Sequence, residues 1–204
     1  MIYSVCSIEV PPARQNAAMA SIEEAISRGR IAGELRGCWY CEIGRLNRVL
    51  AIFAYRSAND LIDDRRAMLA SGDPLGVAGV ALELSAATFE TFPGVEFMAP
   101  GAHGPVYEVR EYRLKRSGLS ATFAAWNKVL EARRKVSALA TVMYAVDGNI
   151  PRFMHIWPFA SLDERMRLRA ESVRIGVWPP PGGLEHIEAM QSEIYLPAEF
   201  SPLH

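Results

Sequence analysis

The hydrophobic pattern divides the chain into short alternating runs and helical stripes. Residues 1–10 (MIYSVCSIEV) alternate as a strand does, and Pro11-Pro12 removes the backbone donors that a longer strand would need. Met19, Ile22 and Ile26 then recur at helical spacing, which predicts a helix over about 13–28. Residues 35–43 and 48–55 read as a hairpin turning near Gly44, and Ser57 with Asp60 three positions on reads as the N-cap of a second helix that ends near Gly72. A loop from Gly72 to Gly79 and a strand over 81–92 complete the unit.

A shift of 104 positions repeats the pattern without a gap. Tyr3 and Val5 fall on Tyr107 and Val109, while Met19, Ile22 and Ile26 fall on Phe123, Trp126 and Leu130. Gly44, Arg48, Ser57, Arg65 and Pro93 recur as Gly148, Arg152, Ser161, Arg169 and Pro197. The matches sit at caps, turns and core positions, where a structural repeat must keep them. The second copy is strongest over 152–174: Phe153, His155, Trp157 and Phe159 alternate with Met154 and Ile156, so both faces of that strand are apolar. Ser161 with Glu164 predicts a capping box for the helix that follows, whose arginines come after its first acids.

Each copy therefore reads β-α-β-β-α-β, a ferredoxin-like unit whose sheet has one face covered by its own helices. The second face needs a cover, and two copies supply it by packing sheet to sheet. The predicted fold class is α+β: two tandem ferredoxin-like repeats forming a pseudo-dimeric α+β barrel. The expected division is a domain over 1–93, a Gly- and Pro-rich linker over 94–105 and a domain over 106–204.

Composition narrows the functional classes. Among 204 residues, 50% are hydrophobic and 22% charged, with a net charge of −1, which is an ordinary globular profile without a pull toward nucleic acid. No apolar run reaches the roughly 20 residues that span a bilayer, so no membrane insertion is expected. Three cysteines form no disulfide framework, and the opening residues lack a basic start and apolar block; both point to a cytoplasmic setting.

On four features the second half resembles the NIPSNAP family of the dimeric α+β barrel superfamily. These are the strand Glu108-x-Arg110-x-Tyr112, Trp126 in the first helix, and His155-x-Trp157 followed by Leu162, Asp163, Glu164, Arg165 and Arg169. The fourth is Trp178 together with the Ser201-Pro202-Leu203 ending. The first half departs from this pattern, with Ser4, Cys6, Ala51, Phe53 and Leu61 at the positions of Glu108, Arg110, His155, Trp157 and Arg165. The resemblance implies a degenerate first domain acting as structural partner. It implies no agreed activity, since the family has none; its animal members are linked to vesicle trafficking and mitochondria, and superfamily relatives include cofactor-free monooxygenases.

Candidate chemistry gathers in the second half. His155, beside Trp157 on a buried strand, can titrate near neutrality or meet a ligand, although a core histidine bonded to a carbonyl or carboxylate is the plainer reading. Glu108, Arg110 and Tyr112 share a strand face and can clamp a polar ligand or form an internal ion network with Arg165 or Arg169. Arg169 recurs as Arg65 in the degenerate copy, which favours a packing role. Trp178, before Pro179-Pro180-Pro181, marks either a pocket rim or a stapled loop. Trp126, Phe123 and Leu130 read as a core stripe, and Arg133-Arg134-Lys135 as a solvated basic face.

Cys38 and Cys41 fall on opposite strand faces and read as core residues, as does Cys6. The remaining histidines, His103, His186 and His204, lack metal-ligand spacing, and neither a metal nor a cofactor is expected. Two readings stand. In one, the barrel holds a pocket for a small apolar or aromatic molecule with a polar head, oriented by His155, Trp157, Arg110, Tyr112 and Glu108 with Trp178 at the mouth. Such a site would also suit a cofactor-independent enzyme. In the other, the chain is a non-catalytic interaction or scaffold protein. A homodimer through helix surfaces is compatible with both.

Overall fold

Both copies fold in the order that the pattern predicts, in a computed structural model that describes residues 1–204. The first half contributes β1 (Ile2–Glu9), α1 (Gln15–Ser27), β2 (Glu34–Ile43), β3 (Arg48–Tyr55), α2 (Ala58–Ala70) and β4 (Glu83–Thr91). The second contributes β5 (Val106–Leu114), α3 (Gly118–Val136), β6 (Thr141–Ala145), β7 (Arg152–Phe159), α4 (Leu162–Arg174) and β8 (Ile187–Pro197). β7 and α4 lie 104 positions after β3 and α2 at both ends. The copies differ most at α3, which has 19 residues against the 13 of α1 and so carries Arg133 into its last turn.

The strands close into one antiparallel barrel in the order β1-β3-β2-β8-β5-β7-β6-β4. The two sheets face each other across the lumen and also join at their edges, where Tyr40 of β2 pairs with Leu196 of β8 and Glu90 of β4 with Tyr144 of β6. Closure leaves no free sheet edge. An eight-stranded barrel has an interior that side chains just fill, and here Val5, Trp39, Ile52, Phe89, Tyr107, Ile156 and Tyr195 fill it. The opposite strand faces pack under the helices in two further cores, one for each half. A strand sandwiched between lumen and helices is apolar on both faces, which explains β3 and β7.

The segment 94–105 connects β4 to β5 and packs against the barrel core. Phe97 stacks on Tyr3 with ring centroids 5.5 Å apart, Met98 N–H donates to Ala140 O at 2.8 Å, and Gly101 bridges Leu203. The other end of the lumen opens into a cavity of about 380 Å³ whose walls include Glu9, Arg45, Arg48, Glu111, Arg152 and Glu193. Its arginines are matched internally: Arg45 pairs with Glu193, Arg48 with Glu9 and Arg152 with Glu111, while Glu83 lies on the wall without an ion-pair partner.

Ser57 and Asp60 form the predicted reciprocal cap on α2. On α4 the box is only half made. Ser161 Oγ accepts from Glu164 N at 3.1 Å, but the Glu164 carboxylate accepts from Ala160 N–H, one residue earlier than a capping box requires. No helix is long and apolar enough to cross a membrane.

Candidate ligand-binding site

Antiparallel pairing of β5 with β7 sets Glu108 opposite Trp157, Arg110 opposite His155 and Tyr112 opposite Phe153. Residues at every second position share a face, and this face points away from the lumen, toward α3, α4 and the loop bearing Trp178. The six expected site residues thus come together, between sheet and helices of the second half and outside the barrel interior.

Glu108 is the electrostatic centre. One of its carboxylate oxygens accepts from Arg110 Nη1 at 2.7 Å, from Arg165 Nη2 at 2.5 Å and from Ser192 Oγ at 2.7 Å. Burial alone would raise its pKa, but the hydrogen bond from Arg165, the charge of Arg110 and the Ser192 hydroxyl outweigh that and hold it at about 2. Arg110 Nε donates to Tyr112 Oη at 2.6 Å, so one arginine ties the carboxylate to the phenol. The ion network that the strand spacing allows is present.

His155 departs from its plain reading. It is fully buried and bonds neither to a carbonyl nor to a carboxylate; instead the Trp157 indole N–H donates to His155 Nδ1 at 2.5 Å. That bond places the imidazole proton on Nε2, which has no hydrogen-bond partner and sits among the rings of Tyr112, Trp126 and Trp178. Burial, reinforced by the charge of Arg110, pushes its pKa well below the ordinary histidine value, so the ring is neutral. It stands behind the site rather than in it.

Arg133 is not part of a solvated face. It is 5% exposed, its guanidinium lies 4.2 Å from the Trp157 ring centroid, and its Nε and Nη1 have no hydrogen-bond partner. Desolvation lowers its pKa to about 10, still charged at neutral pH. The extra turn of α3 puts it there, a difference between the copies that a constant offset hides.

Between these groups and the helices lies a cavity of about 210 Å³. Trp126, Phe153, Trp178 and Ile187 give it apolar walls, Arg110, Tyr112 and Arg169 supply polar groups, and Val173 lies on its rim. Trp178 is 7% exposed and meets Trp126 edge-on at 5.3 Å, so it both staples its loop and lines the cavity. Trp126, read as core, is also a wall. Arg169, read as a packing residue, has no hydrogen-bond or ion-pair partner, whereas its counterpart Arg65 bonds Ser4 Oγ at 3.2 Å and lies 3.8 Å from Asp147. Alternation along β8 was the available signal for Ser192, which lies two positions from the wall residue Met190.

The first half holds a corresponding cavity, also of about 210 Å³, lined by Ser4, Cys6, Arg65, Met68, Leu75 and Leu84 among others. The cysteines are free and buried: Cys38 lies on the helix side of β2 and Cys41 on the lumen side, as alternation requires. No group of three or more His, Cys, Asp or Glu side chains is placed to hold a metal ion.

Comparison with known proteins agrees with this duplicated architecture. The chain is 23% identical over 170 residues to a NipSnap homolog of Dictyostelium discoideum, covering 80% of the chain and 74% of that protein. A NipSnap protein of Caenorhabditis elegans is 22% identical over 222 residues and spans the whole chain, which corresponds to 41% of its own length. Among solved structures, an anthrone oxidase-like protein superposes with a TM-score of 0.69 over 98% of this chain and 93% of its own, at 11% identity, a likeness of fold alone. The NIPSNAP family model matches residues 3–76 and again 107–202. Matched in both halves and over most of its length, the chain belongs to the NIPSNAP family.

Proposed function

We propose that the second half, taken as a domain over 106–204, binds a small apolar or aromatic molecule with a polar head in the cavity between its sheet and helices. The degenerate domain over 1–93 completes the barrel as structural partner. One observation carries the reading: the cavity wall joins four large apolar side chains to a polar end of Arg110, Tyr112 and Arg169. Binding sites combine these features, an apolar body with a few convergent polar groups. Its volume, about 210 Å³, is below the roughly 300–1,000 Å³ of drug-sized pockets, so the ligand has one or two rings. Glu108, His155 and Trp157 stand behind the wall: Glu108 fixes Arg110, and Trp157, which donates to His155, packs on the wall residues Trp126 and Trp178.

Native mass spectrometry of protein purified from its own host, followed by release of bound small molecules, tests this. A co-purifying compound is expected, and Val173→Trp, which fills the cavity mouth from an exposed position, abolishes it without loss of stability. A compound retained in Val173→Trp overturns the assignment of this cavity. An apo protein that instead retains a macromolecular partner through the helix faces favours the interaction reading.

A further inference from the structure

Resting on that reading, we propose that the ligand head is an anion and that the molecule is a small aromatic or apolar carboxylate. The argument is one of unbalanced charge and of hydrogen-bond polarity. Four guanidinium groups, Arg110, Arg133, Arg165 and Arg169, surround one carboxylate, Glu108. The carboxylate is taken by Arg110 and Arg165, and His155 is neutral and adds no negative charge. Arg169 faces the cavity unpaired. A partly buried cation without a counterion costs stability that a bound anion restores.

The polar groups at the wall have the same sense. Arg110 uses Nε on Tyr112 and Nη1 on Glu108, leaving Nη2 without a protein partner. Tyr112 accepts from Arg110, and its own phenolic proton goes to no protein acceptor. Arg169 is donor-only, as are the indoles of Trp126 and Trp178. Thr122 donates to Gly118 O at 2.8 Å and is left as an acceptor, the exception among these side chains, and Glu108 does not line the cavity. A ligand entering here must bring acceptors, and a carboxylate brings two oxygens with about four acceptor positions for these donors. The barrel-mouth cavity is the contrast: each of its three arginines has its own glutamate and Glu83 is left over, so it presents no excess of positive charge.

Three probes separate head from body: the isosteric pair phenylacetate and phenylacetamide, and the headless ethylbenzene, each followed by NMR titration of the indole N–H signals. Phenylacetate is expected to bind about 10- to 100-fold more tightly than the amide, the range of a charge-assisted hydrogen bond. Arg169→Met removes that preference, while Arg169→Lys retains part of it. Because Arg169 makes no hydrogen bond or ion pair within the protein and methionine keeps its apolar stem, the variant keeps its fold. Acid and amide binding alike, or an acid preference intact in Arg169→Met, overturns the anion inference and leaves the apolar pocket standing. Failure of all three probes to bind overturns the pocket reading itself, and this inference with it.

Discussion

Replacing Glu108 with glutamine tests whether one carboxylate holds the β5–α4–β8 junction together. The substitution keeps the shape and removes the charge, so Arg110 and Arg165 lose their shared counterion while Ser192 keeps an acceptor. The carboxyl is held at about 2 in the fold, against about 4.3 in an unfolded chain, and at about 1.36 kcal/mol per unit the difference is worth about 3 kcal/mol. That agrees with the roughly 3–5 kcal/mol lost when a buried ion pair is broken from one side. For a chain of 204 residues the thermal midpoint falls by about 6–12 °C. The pH dependence is the sharper readout. The folded pKa is depressed, so the stabilisation is complete above the unfolded value and disappears as pH falls through about 4 toward 2. Urea unfolding of wild type and Glu108→Gln should therefore differ by about 3 kcal/mol at neutral pH, and the gap should close as Glu108 protonates and comes to resemble glutamine. A gap independent of pH, or below about 1 kcal/mol, would refute the network as the source of stability.

Four further outcomes are expected. His155 should show no imidazole titration by NMR between about pH 5 and 8; because its folded pKa is depressed, it makes the fold less stable as pH drops below about 6.5, a loss absent in His155→Phe. Trp157→Phe removes the donor to His155 Nδ1 and the larger face under Arg133, lowering stability by about 2 kcal/mol in thermal melts. In native protein a disulfide reagent should find no fast-reacting thiol and in denaturant three; all three are buried, and burial, with a smaller contribution from Cys6, pushes Cys38 up to about 12. Gly104→Ala should cost more than about 2 kcal/mol, since its φ is +130° and a Cβ would stand 2.3 Å from Phe159 O, where backbone must move.

The fold was largely legible because its cues are local and doubled. Ser57 and Ser161 mark two helix starts, and the alternation in β3 and β7, apolar on both faces, already implied a lumen on one side. Which side faced the lumen was not legible. Period-2 alternation assigns residues to two faces without naming them, so it puts Glu108 with Arg110 and His155 with Trp157 but leaves open whether the two pairs meet and which face lines the barrel. Register resolved it by setting Met154 and Ile156 inward and His155 and Trp157 under the helices. Arg133 was misread for a different reason. Its neighbours are charged, and the longer α3 that rotates it onto Trp157 leaves no mark in composition. The partner of His155 was unreadable because an indole two positions along the strand competes with every carbonyl nearby, and only side-chain geometry decides between them.

The contrast between Arg65 and Arg169 bears on where function resides. Both arginines occupy the same turn of equivalent helices, and both line cavities of about 210 Å³. In the first half Ser4 replaces Glu108, and Arg65 turns to Ser4, to Thr88 and to Asp147, which belongs to the other half and also accepts from Thr88 N at 2.7 Å. That arginine helps fasten the β4–β6 seam of the barrel. At the equivalent position Arg169 fastens nothing, because Glu108 is committed to Arg110 and Arg165, and the residue corresponding to Asp147 at the other seam is Ile43. A duplicated chain needs both halves to close the lumen, so neither sheet can be lost, but the polar set under one pair of helices is free to change. The first copy spent its arginine on assembly, and the second kept one uncommitted at the wall of an aromatic cavity. The fold does not require that arrangement, and for that reason the cavity beside Arg169 is where a ligand is to be sought.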